Sequence, residues 1–292
     1  MEKSPLHKSL ARYSVVLVEY FSGEHLVRCL HSLRIQTHTP EKIVVVLNGI
    51  GDKERTTLHS DFPEVQVIDP HANLGYARAA NLGIANTSSP IVLTLNPDTE
   101  LDAYAAQVAC EYMSEHDGVG IVGPKIQEPN GAIYPSAREE PSLVDAVGHA
   151  FLGTFFPSNR FTKKYKNIGI STDDVRDVGW LSGAALFIRR DALDDVGGWD
   201  EDYFMYCEDI DLGRKMRLNR WRNVFVPQSR VMHVGGVSTS RTPITLLLHH
   251  HRSLYTFASK KYDNNALMKA LTLIFIAIRL PIALAAHFLR IN

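Results

Sequence analysis

The first half of the chain alternates short apolar runs with segments whose apolar residues recur at helical spacing. Residues 13–20 (YSVVLVEY) and 43–47 (IVVVL) are apolar and rich in β-branched side chains, which predicts two buried strands. Between them, residues 24–33 carry leucines at helical spacing and predict a helix. The same patterns predict strands at residues 65–68, 91–95 and 120–124, and helices at residues 76–85 and 102–116.

Strands and helices that alternate in this way are typical of an α/β fold with a doubly wound, mainly parallel sheet. Ligands of such sheets bind beyond the carboxyl ends of the strands. We therefore expect the functional residues in the loops that follow the strands.

The second half of the chain begins with a loop-rich stretch. Residues 128–177 contain several prolines, and we interpret them as a mobile excursion over the site. Ordered elements are predicted again after Gly179. They are a strand at residues 181–189, helices at 192–196 and 208–218, and two short strands at 224–226 and 231–234 around Pro227.

The C-terminal part is helical and increasingly apolar. Lys269, Arg279 and Pro281 interrupt the apolar residues 266–289, whereas a spanning helix needs about 20 largely uncharged residues. We therefore predict two short helices that meet at Pro281, lie in the membrane interface and bind the membrane peripherally. A helical contact between copies of the chain, giving a homo-oligomer, is the alternative.

Composition narrows the class of protein. The 292 residues are 45% hydrophobic and 22% charged, which suits a globular chain with a large core. A formal net charge of -1 offers no electrostatic reason to expect a nucleic-acid partner. Three separated cysteines, and a polar start at residues 1–12 without a secretory signal, favour a cytoplasmic location.

Asn96-Pro97-Asp98 is the first candidate for chemistry. It follows the strand predicted at residues 91–95, so Asp98 is expected at the carboxyl edge of the sheet. A divalent cation that bridges diphosphate oxygens needs such an oxygen ligand. An Asx turn or a helix cap is the alternative.

A second candidate is the acidic group of Glu208, Asp209 and Asp211, which fall within one helical turn. Like charges this close raise one another's proton affinity, and a carboxylate so poised can act as a general base toward a hydroxyl. The alternative is an acidic helix N-terminus stabilised by the helix dipole.

Further motifs surround these carboxylates. In chain order they are SVVLVEYFSGEHLVRCLHSL from residue 14, an Asn-Gly pair at 48–49, NLGYARAAN from residue 73, Asn-Pro-Asp at 96–98, Leu-Ser-Gly-Ala at 181–184, Gly-Gly-Trp-Asp-Glu at 197–201 and Glu-Asp-x-Asp at 208–211. This order resembles family 2 glycosyltransferases of the GT-A fold, especially their bacterial rhamnosyltransferase-like and galactofuranosyltransferase-like branch. The resemblance covers roughly residues 14–261, with Asn-Pro-Asp where relatives carry Asp-x-Asp.

The resemblance implies a metal site and a catalytic base. Asp98 is then the carboxylate that binds Mn or Mg, and Asn96 can hydrogen-bond ribose or phosphate. Relatives carry a late histidine followed by Gly and Ser, which implies His233 as the second metal ligand; a structural histidine is the alternative. Asp209 is implied as the catalytic base, with Glu208 beside it.

The donor side departs from the family pattern. Relatives end the second strand in Val-Asp-Asn, but Leu47 stands here in place of the Asp and cannot accept a hydrogen bond from a nucleobase. Asn48, Asp52 or backbone groups are expected to contact the base instead. The residues implied beside the diphosphate are Asn73, Gly75 and Arg78, for which a helix start with a solvated arginine is the alternative.

Aromatic and acidic residues are implied on the acceptor side. An aromatic face can cover the apolar side of a sugar ring, although core packing is the alternative for each tryptophan. The positions are Trp180, Trp199, Asp200, Glu201 and Asp211.

These observations predict a polar tail at residues 1–12, a GT-A domain at residues 13–240 and a helical membrane-associating segment at residues 241–292. Within the domain, residues 13–123 are expected to bind the nucleotide-sugar and residues 124–240 to carry the acceptor and catalytic groups.

The predicted activity is an inverting sugar transfer from a dTDP- or UDP-sugar to a polyprenyl-diphosphate-linked or other cell-envelope glycan. The site is expected at the cytoplasmic face of the membrane. L-rhamnose from dTDP-rhamnose is the leading donor, and a galactofuranosyl donor is the alternative. A non-catalytic sugar-nucleotide-binding or scaffold protein of the same fold is the alternative from another class.

Overall fold

A mixed sheet with helices on both faces organises the chain. The computed structural model describes residues 10–49, 52–140, 159, 172–236 and 243–291. The strands are β1 (Tyr13–Glu19), β2 (Lys42–Leu47), β3 (Val65–Ile68), β4 (Ile91–Leu95), β5 (Thr99–Leu101), β6 (Val119–Gln127), β7 (Ile133–Tyr134), β8 (Ala137–Arg138), β9 (Arg176–Asp177), β10 (Trp180–Leu181), β11 (Ala185–Arg189) and β12 (Arg222–His233). The helices are α1 (Glu24–Arg34), α2 (Asp52–Asp61), α3 (Tyr76–Ile84), α4 (Ala105–Glu115), α5 (Arg190–Asp195), α6 (Glu208–Leu218), α7 (Pro243–Lys261) and α8 (Ala266–Ile291).

The strand order is β3-β2-β1-β4-β11-β6-β12-β5, with β7 added beside β6 and β9 beside β12, while β8 and β10 form a small separate sheet. The first four strands are parallel, as predicted, and β11 is antiparallel to both neighbours. Alternating residues of β1 face two cores: Val15 and Leu17 pack on one side, and Val16 and Val18 on the other. The continuous apolar run is therefore explained by burial on both faces.

One helix was not predicted. Helix α2 has the sequence DKERTTLHSD, in which Leu58 is the apolar residue that packs into the core. With one such residue there is no helical periodicity to detect.

Two strand predictions were wrong in detail. Residues 181–189 form β10 and β11 with a break at Gly183, because Ser182 N–H bonds to Ser136 O at 2.8 Å and turns the chain out of the main sheet. The two strands predicted at residues 224–226 and 231–234 are one strand, β12 (Arg222–His233). The register of β12 against β6 shifts between Val226 and Arg230, and this bulge accommodates Pro227, which lacks an N–H for the ladder.

The predicted break at Pro281 was also wrong, because α8 continues through this residue. A proline inside a helix removes one backbone hydrogen bond and often leaves a kinked but continuous helix. Residues 266–285 have a mean hydropathy of 2.0, and few of them are buried. By length and composition this stretch is sufficient to cross a membrane.

Helix α7 packs against the domain that we predicted to end at residue 240. Ser253 Oγ donates a hydrogen bond to Met205 O at 2.7 Å, and Phe257 packs with Tyr203 and Cys207. Lys261 Nζ lies 2.6 Å from Glu140 Oε1. The predicted boundary therefore separates residues that are in direct contact.

Gly213 allows α6 to pack closely on β10. A Cβ at this position would lie 2.8 Å from Trp180 Cβ and 3.0 Å from Gly179 O. We expect Gly213→Ala to lower the free energy of unfolding by about 1–3 kcal/mol, because this overpacking outweighs the roughly 1 kcal/mol gain in helix propensity. Urea unfolding measures it. Gly118→Ala is the matched control, since its Cβ would meet no atom within 4 Å, and an equal loss in both variants would contradict the prediction.

Candidate active site

A cavity of about 390 Å³ lies beyond the carboxyl ends of β1, β2 and β4, where ligands bind in doubly wound sheets. It is closed on one side by the loop before α6 and by α7. Residues that line it include Tyr20, Asn48, Asn73, Gly75, Asn96, Asp98, Gly183, Phe204, Tyr206, Glu208, Asp209, His233 and His249. The cavity therefore gathers the predicted metal and catalytic residues and two of the three predicted diphosphate residues, Asn73 and Gly75.

Asp98 and His233 meet in this cavity although they are far apart in the sequence. Asp98 follows β4, His233 ends β12, and His233 Nε2 lies 3.1 Å from Asp98 Oδ1. The pairing of β12 with β5 continues to a hydrogen bond from Val234 N–H to Asp98 O at 3.0 Å, which fixes both chains. The predicted pair is thus held together by backbone structure.

The chemistry of this pair suits a divalent cation. A carboxylate oxygen and an imidazole nitrogen are both ligands of Mn²⁺, and Asn96 lines the same cavity. Within the described residues, no three His, Cys, Asp or Glu side chains come together as a complete set of metal ligands. A metal ion at Asp98 and His233 would therefore take its remaining ligands from phosphate oxygens and water, as magnesium sites commonly do.

Asp209 is oriented by two backbone donors. Its Oδ2 accepts a hydrogen bond from Gly183 N–H at 3.0 Å, and its Oδ1 accepts one from Ile210 N–H at 2.8 Å. Burial raises the pKa of Asp209 above its ordinary value, and these two donors and Arg138 offset only part of that rise. The site thus supports a negative charge on Asp209 better than burial alone would.

Glu208 lies beside Asp209 in a different environment. Its Oε2 is buried and has no hydrogen-bond partner in the part of the chain that the structure describes. Burial, followed by the charge of Asp209, raises the pKa of Glu208 to about 8. Neighbouring carboxyl groups whose environments separate their pKa values commonly divide acid and base roles.

The loop before these carboxylates is strained. Tyr206 and Cys207 have positive φ angles of 71° and 65°, a left-handed conformation that costs about 1–2 kcal/mol for a residue with a Cβ. Helix α7 holds this loop: Ser253 binds Met205 O, and His249 stacks on Phe204 at 4.4 Å between ring centroids. The position of Glu208 and Asp209 therefore depends on α7.

The donor-side loop at residues 73–75 is tied to the end of β2. Asn48 Oδ1 accepts a hydrogen bond from Leu74 N–H at 2.7 Å, and Asn48 Nδ2 donates to Gly75 O at 3.2 Å. Asn73 Oδ1 accepts from Gly75 N–H at 3.0 Å. Gly75 has φ 78°, and a Cβ there would lie 2.5 Å from Phe204 O, so only glycine fits. Both Asn48 amide atoms are thus committed to the loop.

Some predicted donor residues are not brought to the cavity. Arg78 is exposed and its Nε lies 3.5 Å from Glu201 Oε2, away from the diphosphate position that we expected. Leu47 is buried in the core. Asp52 begins α2, and its side chain lies outside the described residues.

The structure does not bring the predicted acceptor-side residues to the cavity lining either. Trp199 is a core residue, 1% exposed, with its ring edge-on to Tyr76, so it offers no face to a sugar. Trp180 is buried and donates from Nε1 to Glu139 O at 3.0 Å.

The acidic acceptor-side residues are held by other protein groups. Asp200 pairs with Lys260 of α7, and Asp211 accepts a hydrogen bond from Tyr203 Oη at 3.3 Å. Glu201 contacts Arg78 and the Asn81 amide. These residues fix the strained loop and α6 rather than lining the cavity.

Helix α7 supplies cavity residues that the sequence did not predict, namely Thr245, Leu246 and His249. Its three adjacent histidines point to different partners, as expected for neighbours on a helix. His249 stacks on Phe204, His250 meets Tyr206 edge-on, and His251 binds Leu247 O through Nδ1. No sequence pattern indicates that α7 covers the sheet edge, so these residues could not have been found without the structure.

The fold and this cavity define a GT-A glycosyltransferase, and the known proteins of similar structure agree. A mannosyltransferase from Pyrobaculum calidifontis, solved with GDP-Man and Mn²⁺, matches with a TM-score of 0.60 at 14% identity over 96% of this chain and 76% of that one. GalNAc-T7, solved with UDP, GalNAc and Mn²⁺, matches with a TM-score of 0.58 at 15% identity over 89% of this chain. The chain spans 52% of GalNAc-T7.

The family follows from the sequence comparison. The family model described as glycosyltransferase like family 2 matches residues 11–256, and the chain belongs to this family. It is 37% identical over 260 residues to the N-acetylglucosaminyl-diphospho-decaprenol L-rhamnosyltransferase of Mycobacterium tuberculosis, covering 85% of this chain and 84% of that protein. The predicted fold and family are confirmed.

The raised pKa of Glu208 predicts that the difference in stability between wild type and a Glu208→Gln variant depends on pH. The folded pKa of Glu208, about 8, lies above the ordinary value of 4.5, so the folded state binds the proton more tightly. The group then destabilises the folded state increasingly as pH rises from 4.5 to 8. Glu208→Gln removes this effect, and its free energy of unfolding should rise relative to wild type between pH 5 and pH 8. Urea titrations at several pH values measure it.

The matched control for this experiment is Glu115→Gln, because Glu115 is exposed. Parallel stability curves for wild type and Glu208→Gln across that pH range would contradict the prediction.

Proposed function

We propose that this glycosyltransferase transfers L-rhamnose from dTDP-rhamnose to an N-acetylglucosaminyl-diphospho-polyprenol at the cytoplasmic face of a membrane. The observation that carries the proposal is the cavity that joins Asp98 and His233 with Glu208 and Asp209, in a chain 37% identical to a rhamnosyltransferase whose name specifies that acceptor type.

The reaction is a single displacement with inversion. Asp209 takes the proton of the acceptor hydroxyl as its oxygen attacks the anomeric carbon. The bond between that carbon and the diphosphate oxygen breaks, and dTDP leaves with the bonding electrons. Asp209 suits the base role because two N–H donors support its charge, whereas the raised pKa of Glu208 keeps that neighbour protonated near neutral pH.

Asp98 and His233 would hold Mn²⁺ or Mg²⁺ beside the donor diphosphate. When bound, the cation neutralises negative charge that develops on the departing diphosphate. Gly75 lets the donor-side loop pack closely on Phe204, and Asn96 remains available to bind ribose or phosphate. Asn48 holds that loop and also lines the cavity, as does Tyr20, and these two residues are our candidates for contact with the nucleobase.

The proposal is tested by offering dTDP-rhamnose, UDP-galactofuranose and GDP-mannose with a short-chain N-acetylglucosaminyl-diphospho-polyprenol. We expect product from dTDP-rhamnose, and Asp209→Asn should reduce its turnover by roughly 100-fold or more while donor affinity changes little, because the amide cannot accept the proton. Transfer only from another donor would overturn the rhamnosyl assignment. Nucleotide binding without turnover on any donor would favour a non-catalytic binding protein, and Asp209→Asn at near wild-type turnover would exclude Asp209 as base.

The metal site predicts a graded effect of two substitutions. Asp98→Ala should weaken Mn²⁺-dependent donor binding by roughly tenfold or more, which corresponds to a loss of about 1.4 kcal/mol of binding free energy. His233→Ala should weaken it less, because neutral imidazole contributes a lone pair but no charge. Isothermal titration with and without Mn²⁺ measures both. Unchanged metal dependence in His233→Ala would assign His233 a structural role.

A further inference from the structure

Helix α8 has one face that is apolar throughout residues 266–285, the part whose side chains the structure describes. Within residues 266–285, the exposed side chains are all Ala, Leu, Ile or Pro. Leu267, Ile274 and Ile282 are 68%, 56% and 57% exposed, so exposure does not diminish along the helix. The larger members of this outward face are Leu267, Leu271, Leu273, Ile274, Ile278 and Ile282.

The polar side chains of the same stretch do not lie on this outward face: Thr272 bonds to Met268 O within α8, Lys269 pairs with Asp263 in the turn before α8, and Arg279 contacts α7. Thr272 is buried, and Lys269 and Arg279 are only partly exposed. Arg279 Nη1 lies 3.0 Å from His251 Nε2, and His251 Nδ1–H donates to Leu247 O at 2.7 Å, which leaves Nε2 free to accept from Arg279. The cations that interrupt the sequence therefore do not interrupt the outward face.

Helix α7 lies between α8 and the catalytic domain. Helix α7 contacts α8 through His251 and the strained loop through Ser253. Lys260 of α7 also contacts Asp202, with its Nζ 2.7 Å from Asp202 Oδ2. His251 and Arg279 are similarly distant from the turn that joins the helices, so the two helices run antiparallel as a hairpin.

This attachment decides how α8 can meet a bilayer. If α8 crossed the bilayer with the hairpin intact, α7 and the charged groups bound to it, including Asp200 and Glu140, would enter the hydrocarbon. Charged and unpaired polar groups are strongly unfavourable there. A helix lying in the membrane plane keeps α7 and the catalytic domain on the aqueous side.

We propose that α8 lies flat in the interface of a phospholipid bilayer, with its outward face against the acyl chains. A lipid partner fits better than a second copy of the chain, because protein interfaces carry hydrogen bonds and a polar rim, whereas this face offers no polar side chain between residues 266 and 285. Helix α7 supplies the polar side that interfacial helices need. This inference deepens the proposed membrane location and is independent of the donor sugar.

Fluorophore depth along α8 tests the orientation. Variants of the full chain with one added cysteine, Leu267→Cys, Ile274→Cys or Ile282→Cys, are labelled with an environment-sensitive dye, while the native Cys29, Cys110 and Cys207 are buried. Vesicles of phosphatidylcholine and phosphatidylglycerol carry quenchers at defined acyl depths. We expect one common shallow depth for all three labels and little quenching at Ile276→Cys, on the α7 side. A depth that is greatest at residue 274 and shallow at both ends would show a spanning helix and overturn the proposal.

Substitutions on the outward face test the partner. The double variant Ile274→Gln and Ile278→Gln should lower vesicle affinity at least tenfold, because two apolar side chains that would be buried among the acyl chains become polar. Ile35→Gln, at a 66% exposed isoleucine outside α8, is the matched control and should bind as wild type. Transfer to a water-soluble acceptor analogue should be unchanged in both, which separates this proposal from the proposed activity.

Two further outcomes would contradict a lipid partner. Vesicle binding that is unchanged in the double variant would show that the outward face does not contact lipid. A dimer in light scattering that dissociates in the double variant, without vesicle binding by wild type, would assign the face to a second copy of the chain.

Discussion

The backbone N–H of Gly183 donates a hydrogen bond to Asp209, and the neighbouring elements are arranged around this contact. It requires that the chain leave the small sheet after β10 and join the main sheet at β11, so that the turn presents its N–H to the first turn of α6. Gly213 lets α6 approach β10 closely enough for the bond to form. A carboxylate fixed by backbone donors keeps its orientation without depending on flexible side chains, which suits a base that must meet one hydroxyl.

The parallel half of the sheet could be predicted because β1, β2 and β4 are buried on both faces and are therefore apolar throughout. The meeting of Asp98 and His233 was implied by resemblance to a family; the structure adds the β5–β12 pairing that explains it. Helix α2 was missed because it buries too few apolar residues to show a helical period. The break between β10 and β11 at Gly183 was missed because backbone hydrogen bonding does not change the hydropathy pattern.

The predicted acceptor-side residues that do not line the cavity share one feature. These residues, Trp199, Asp200, Glu201 and Asp211, lie close in sequence to the proposed catalytic residues, yet their side chains contact the core, Lys260, Arg78 and Tyr203. Motif position indicates which segment is near a site, but it does not indicate which way each side chain points. Conversely, His249 reaches the cavity from a helix that belongs to the predicted membrane segment.

The position of α7 has a consequence for the length of acceptor that the enzyme can use. With α8 in the membrane plane, the cavity stands above the lipid by one layer of helix packing, about 8–10 Å between axes. That height is set by packed side chains and cannot vary greatly. With the proposed membrane position and acceptor, the hairpin would act as a ruler that favours an acceptor whose diphosphate and first sugar rise about that far from the bilayer.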